Sequence, residues 1–335
     1  MAHLFEPFTQ RGLTLRSRIV FPPMAQDLCT TDGEVTDRLL AHYRARARPG
    51  LGLLMIEHSY VERRGRYSPR QTGIHEDALV PGLKRLTDAL HQHGVPVGIQ
   101  LAHAGARACA AQNGAPAVAP SAVAPPGATD VPRALAEAEL FDLKNRFVAA
   151  ALRAVEAGVD VIELHGAHGF LLSEFFSPLT NRRADGYGGD LRGRRRLAVE
   201  IVTAVRGVIG ERALWFRLGA DDRLPGGLTL AEGGEIGRAL VAAGVDVLDV
   251  SGGLCGSRPA DLGGAGFFGY AAAAVRAAAG APVVAVGGLQ DPRDADRLVR
   301  SGAADLVAVG RAILKDPEWP ERAAAVLGAT LPCPA

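Results

Sequence analysis

The sequence predicts an α/β protein folded as a single-domain (β/α)8 TIM barrel spanning residues 1–335, and three observations carry that prediction. Short apolar runs rich in β-branched residues alternate with longer amphipathic ones along most of the chain. Several short runs are apolar at nearly every position, as strands covered on both faces are. A unit of helix end, glycine, aspartate and strand then recurs, which marks repeated βα modules.

Taken in order, eight runs read as strands: Ile19–Met24, Leu53–Val61, Pro96–Leu101, Val159–His165, Leu214–Ala220, Val245–Gly252, Pro282–Gly287 and Leu306–Gly310. Helical periodicity lies between them, as in Leu79–His93, Ala138–Ala157, Arg194–Ile209, Leu230–Ala243 and Asp291–Arg300. The recurring unit is clearest where Gly158 and Asp160 lead into Val161-Ile162-Glu163-Leu164, and where Gly244 and Asp246 lead into Val247-Leu248-Asp249-Val250. A looser copy has Gly302 and Asp305 before Leu306. Each glycine permits a left-handed helix cap ahead of the strand. Eight such units close into a barrel, with a doubly wound open sheet as the structural competitor. Two long Gly-rich connections, Cys109 to Pro132 and Leu254 to Gly269, follow strands and are candidate lids or ordinary surface loops.

The chain has 335 residues, 48% of them hydrophobic, with a formal net charge of +1. That length can bury a large core. The balanced charge argues against nucleic-acid or polyanion partners. The basic run Arg192 to Arg196, flanked by Asp190 and Glu200, reads as a paired or solvated helix face. Cys29, Cys109, Cys255 and Cys333 are far apart, so no CxxC pair appears, and reduced thiols of a cytoplasmic protein are expected. No signal peptide is evident at the N-terminus, and no uncharged apolar stretch approaches membrane-spanning length.

In such barrels the chemistry gathers at the carboxyl ends of the strands. Those ends carry Pro22-Pro23-Met24-Ala25, then Glu57-His58, then Gln100 and His103, then His165 and His168. Arg217, Ser251-Gly252-Gly253, Gly287-Gly288 and Gly310-Arg311 complete the set. Two imidazoles three residues apart give two donors able to hold one carbonyl oxygen. Gly287, Gly288, Gly310 and Arg311 stand where barrels commonly bind phosphate. Arg217, pointing into the mouth, needs an anionic partner, met by a reduced flavin or by a structural ion pair. Four histidines at 58, 103, 165 and 168 raise a second reading, a metal-dependent hydrolase, although no carboxylate ligand set accompanies them. Gly264-Ala265-Gly266-Phe267-Phe268-Gly269 matches a dinucleotide fingerprint literally, but no strand directly precedes it.

The ordered motifs resemble the old yellow enzyme family of FMN-dependent barrels. They are Arg18 to Met24, Gly98-Ile99-Gln100-Leu101-Ala102-His103-Ala104-Gly105, Glu163 to Phe170, Ser177 to Asn181, Asp185 to Gly189, and Val309-Gly310-Arg311 before Asp316-Pro317. The resemblance implies FMN as cofactor and NADPH or NADH as reductant. It implies that Pro22, Pro23, Met24 and Ala25 line the flavin and that Gln100 bonds its pyrimidine edge. Arg217 would face N1 and O2, and Gly287, Gly288, Gly310 and Arg311 would hold the phosphate. His165 and His168 would grip the carbonyl of an activated C=C substrate, with hydride arriving from N5. Homo-oligomers are common in the family, though no interface is legible here.

Three positions depart from the family pattern. Phe170 stands where a tyrosine usually donates a proton, which makes slow reduction or isomerisation an alternative; Tyr60 and Tyr67 are the nearby phenols. His58 occupies a usually small position near flavin O4 and N5, and Asp27 a substrate-binding position where a basic or polyol substrate would suit an acid. Larger relatives continue into an iron–sulfur motif; the segment Leu331 to Ala335 with its lone Cys333 suggests a flavin domain alone.

Overall fold

The computed structural model describes residues 3–331. Cys333 and the remainder of the last segment lie outside the described residues. Eight parallel strands close into a barrel: β1 (Ile19–Phe21), β2 (Leu53–Tyr60), β3 (Val97–Ala102), β4 (Val161–Gly166), β5 (Ala213–Gly219), β6 (Val247–Ser251), β7 (Val283–Val286) and β8 (Leu306–Ala308). Each pairs with its neighbours in chain order, and β8 returns to β1 through Val307↔Ile19. All eight expected strands are present; most are shorter than expected, while β3 and β4 run one residue further and β5 starts one residue earlier. The closed barrel excludes the open sheet.

Helices α1 (Asp37–Arg44), α2 (Val80–His91), α3 (Glu137–Glu156), α4 (Leu191–Ile209), α5 (Leu230–Ala242), α6 (Gly269–Ala279), α7 (Pro292–Arg300) and α8 (Trp319–Leu327) cover the outside. Their starts are chemically marked. The Thr36, Asp190 and Thr229 side chains accept N–H bonds from the first turns of α1, α4 and α5. The basic run lies on α4, tied to its surroundings: Arg194 pairs with Glu232 at 2.5 Å and Arg196 with Glu200 at 2.8 Å. No helix among the described residues is long and apolar enough to cross a membrane.

The recurring aspartate has a physical explanation. Asp160 Oδ2 accepts from Val97 N at 2.8 Å, Asp246 Oδ2 from Leu214 N at 2.8 Å, and Asp305 Oδ2 from Val283 N at 3.0 Å. The aspartate N–H in turn donates to the carbonyl of the same residue in each case. Each unit therefore clamps the start of its own strand to the start of a neighbouring one, satisfying backbone groups beyond the ladder.

Side-chain alternation then divides the barrel interior into levels. Val20, Leu53, Met55, Val161, Trp215, Val284 and Leu306 pack as an apolar floor. A hairpin, Phe8–Gln10 with Leu13–Leu15, plugs that floor from below, with Leu15 buried and Phe8 and Leu13 packed against it. Its turn, Arg11-Gly12, has both residues at positive φ, the geometry of a two-residue hairpin. The sequence reading missed this hairpin. The outward faces, such as Ile162, Leu164, Phe216 and Leu248, pack under the helices in the main core.

Candidate active site

Above the apolar floor, the next inward positions are polar. Gln100 Nε2 donates to Glu163 Oε2 at 2.6 Å, and Arg217 pairs with Asp249 at 3.0 Å. All four side chains are buried. Burial holds the pKa of Glu163 and of Asp249 above the usual carboxylate range, and the Asp249 charge pushes Glu163 further up. Glu163 Oε1, Asp249 Oδ1 and Arg217 Nε have no hydrogen-bond partner. Gln100 and Arg217 were expected here; Glu163 and Asp249 were not. The signal was present in the repeated unit, where an acid interrupts the apolar strand at the same position in both copies.

His165 follows on β4, in register with Arg217, and is 2% exposed. His168 lies in the turn beyond, at φ 59, a left-handed backbone that a side chain rarely adopts. Two bonds hold it there: its N–H donates to Gly252 O at 3.0 Å, and its Nε2 lies 2.8 Å from Ser251 Oγ. The two imidazoles meet edge to face with centroids 5.2 Å apart. Burial depresses both pKa values well below the ordinary range, and the Arg217 charge adds to it. Both rings are therefore neutral at pH 7, each with one donor and one acceptor nitrogen.

His58 reaches the same opening through a defect in β2. Ile56 pairs with Ile99, but His58 pairs with Gln100, so the register slips by one residue between them. That bulge turns His58 onto the inner face and leaves Glu57 outside it. His58 stacks near His165 at 6.5 Å and near Phe170 at 5.4 Å, and burial lowers its pKa to about 4. Phe170 packs 4.4 Å from the His165 ring and 5.6 Å from Tyr67. Tyr67, 40% exposed, thus borders the site. Tyr60 does not: its hydroxyl donates to Asp32 O at 2.9 Å and its ring stacks on His75.

A cavity at the mouth is lined by Pro22, Met24, Arg217, Gly287, Gly310 and Arg311, together with Ser251, Ser257 and Arg258. The glycines sit close to their surroundings. A Cβ on Gly310 would lie 2.9 Å from Met24 Sδ, and Gly287 is at φ 121 against the Phe267 ring. Gly288 adjoins Gly287, also at positive φ. Arg258 went unnoticed in the sequence because it stands alone in the loop after β6. The same loop contains the glycine run read as a chance match. There Gly266 N donates to Gly287 O at 2.5 Å, so the run is a turn docked beside β7 and not a strand-to-helix fingerprint. An orphaned buried guanidinium nitrogen, two further arginines and glycine-lined backbone fit a planar heterocycle with a phosphate tail.

Other expected residues stand apart. Ala25 and Asp27 are exposed at the rim, and Asp27, at φ 55, accepts from Ser68 Oγ at 2.5 Å. Glu57 accepts from Gln26 N at 2.5 Å and from Thr72 Oγ1 at 2.7 Å, tying the segment after β1 to the loop after β2. His103 turns away to bond Glu62 at 2.9 Å, fully buried. Among the described residues no three His, Cys, Asp or Glu side chains converge as a metal-ligand group.

The NADH:flavin oxidoreductase / NADH oxidase family profile matches residues 3–328. An NADPH dehydrogenase of Geobacillus sp. (strain WCH70) is 40% identical over 98% of this chain and 95% of its own length. An NADH oxidase of Thermoanaerobacter brockii is 39% identical over 96% of this chain, which spans only half of that relative. Among solved structures, the old yellow enzyme homologue from Zymomonas mobilis superposes with a TM-score of 0.85 at 28% identity, covering 99% of this chain and 94% of that one.

Proposed function

The chain belongs to the NADH:flavin oxidoreductase / NADH oxidase family, the kin of old yellow enzyme, and on that premise we propose that it reduces activated C=C bonds of enones and enals. It is an FMN flavoprotein with NADPH or NADH as reductant. When bound at the mouth, FMN would supply the hydride-transfer chemistry, with the nicotinamide as its reductant and an activated C=C as its acceptor.

The protein's own residues do the rest. Gln100, Arg217 and the backbone of Pro22, Pro23 and Met24 would hold the ring. Gly287, Gly288, Gly310 and Arg311 would hold the phosphate. Asp249 keeps Arg217 fixed at 3.0 Å, so the guanidinium arrives preorganised. His165 and His168 would donate to the substrate carbonyl oxygen, and a neutral pair can do so without an anionic substrate. Negative charge developing on that oxygen is then met by donors already in place.

One observation carries the reading: the imidazoles of His165 and His168 meet edge to face at 5.2 Å beside the cavity that Arg217 and Ser251 line. Phe170 favours a second outcome on the same site. With no hydroxyl next to His165, net reduction is slow, or hydride returns and the enone isomerises. We read the chain as one flavin domain over residues 1–335 with a small-molecule substrate, and its separate, unbridged Cys29, Cys109 and Cys255 suit the cytoplasm. The test is the double variant His165→Ala with His168→Ala, which is expected to retain FMN and lose enone binding. Loss of flavin together with the enone would make the pair structural.

A further inference from the structure

Gln71, in the loop after β2, is 2% exposed and touches His58 twice. Its amide orientation is fixed from both ends. Tyr67 N, which only donates, lies 2.7 Å from Oε1. His58 O, which only accepts, lies 2.9 Å from Nε2. A flipped amide would set donor against donor at one end and acceptor against acceptor at the other. The same Nε2 lies 2.7 Å from His58 Nδ1. That ring nitrogen must therefore present its lone pair, and the single proton of the neutral ring sits on Nε2.

Resting on the reading of this opening as the substrate site, we infer that Gln71 is a positioning residue that locks His58 as a neutral Nε2–H donor into it. The consequence is specific to this chain. The position next to Phe170 offers a hydrogen bond but not a transferable proton. A neutral imidazole is a far weaker acid than a phenol, and its other nitrogen faces an amide that cannot resupply it. His58 thus adds a third neutral donor beside His165 and His168 and does not replace the missing tyrosine hydroxyl.

Two-bond nitrogen–proton correlation spectra of the full chain, labelled at histidine nitrogen, test this without reference to turnover. The His58 signals are assigned by their loss in His58→Gln. The expected wild-type pattern has a protonated Nε2 and an unprotonated Nδ1. Gln71→Glu keeps the bond to Tyr67 N and places an anionic acceptor at Nδ1, so the proton is expected to appear there. Gln71→Met removes both partners and is expected to give a mixture of tautomers. A wild-type ring protonated on Nδ1 overturns the inference, as does an unchanged pattern in either folded Gln71 variant. Should Gln71→Glu not fold, the wild-type and Gln71→Met spectra decide it. None of these outcomes depends on enone reduction, so the wider functional reading stands or falls separately.

Discussion

Arg217 and Asp249 lie side by side on β5 and β6, paired at 3.0 Å and each no more than 5% exposed. Arg217 keeps an unpartnered Nε beside two buried acids, Asp249 and Glu163. The ion pair and the proposed flavin contact can be separated. Arg217→Met leaves Asp249 without its counter-charge and is expected to cost about 3–5 kcal/mol by chemical denaturation. Adding Asp249→Asn should restore much of that stability but not the bound FMN. Full flavin content in the double variant would show that Arg217 serves the fold alone.

Glu57 gives a pH dependence with a definite sign. Burial raises its pKa to about 7, against an ordinary value of 4.5. Between those values the folded chain keeps a proton that the unfolded chain has released, so this group's contribution falls as pH rises from 4.5 to 7. His58, His165 and His168, whose pKa values are lowered, titrate the other way below pH 6.5, in wild type and variant alike. The difference between Glu57→Gln and wild type therefore isolates Glu57. It should grow in the variant's favour by up to about 3 kcal/mol across that window and then level off. A flat difference would mean that Glu57 is already ionised in the folded chain at low pH.

Phe170→Tyr restores a phenol 4.4 Å from the His165 ring position. Net enone reduction should accelerate, by up to about 100-fold if proton delivery limits turnover. An unchanged rate, measured as saturated product per reduced flavin, would show that solvent or another donor already serves.

What the sequence disclosed follows from what kind of signal each feature leaves. Strands covered on both faces are largely apolar runs, so all eight were legible, along with five of the helices, α2, α3, α4, α5 and α7. The cavity residues Gly287, Gly310 and Arg311 were legible because they sit at fixed places after β7 and β8. His58 was singled out from its strand-end position, but what turns it inward was hidden. A one-residue bulge decides whether Glu57 or His58 opposes Gln100, and nothing in Ile56-Glu57-His58 announces it. Gln71 was invisible for a related reason, since two of its three partners are backbone groups, Tyr67 N and His58 O, and the third is a ring that only the bulge brings near. His103 looked equivalent to the other histidines until Glu62, 41 positions away, claimed it. The acids Glu163 and Asp249 were there to be read, as charges in otherwise apolar strands.

The oxidative half of the reaction tests the proposed function most directly. The measurement is an anaerobic titration of the photoreduced, FMN-loaded protein with a cyclic enone, following the visible flavin band and the product. The oxidised band should return in step with saturated ketone. A flavin that stays reduced with every enone and enal, yet reoxidises at once in oxygen, would contradict it.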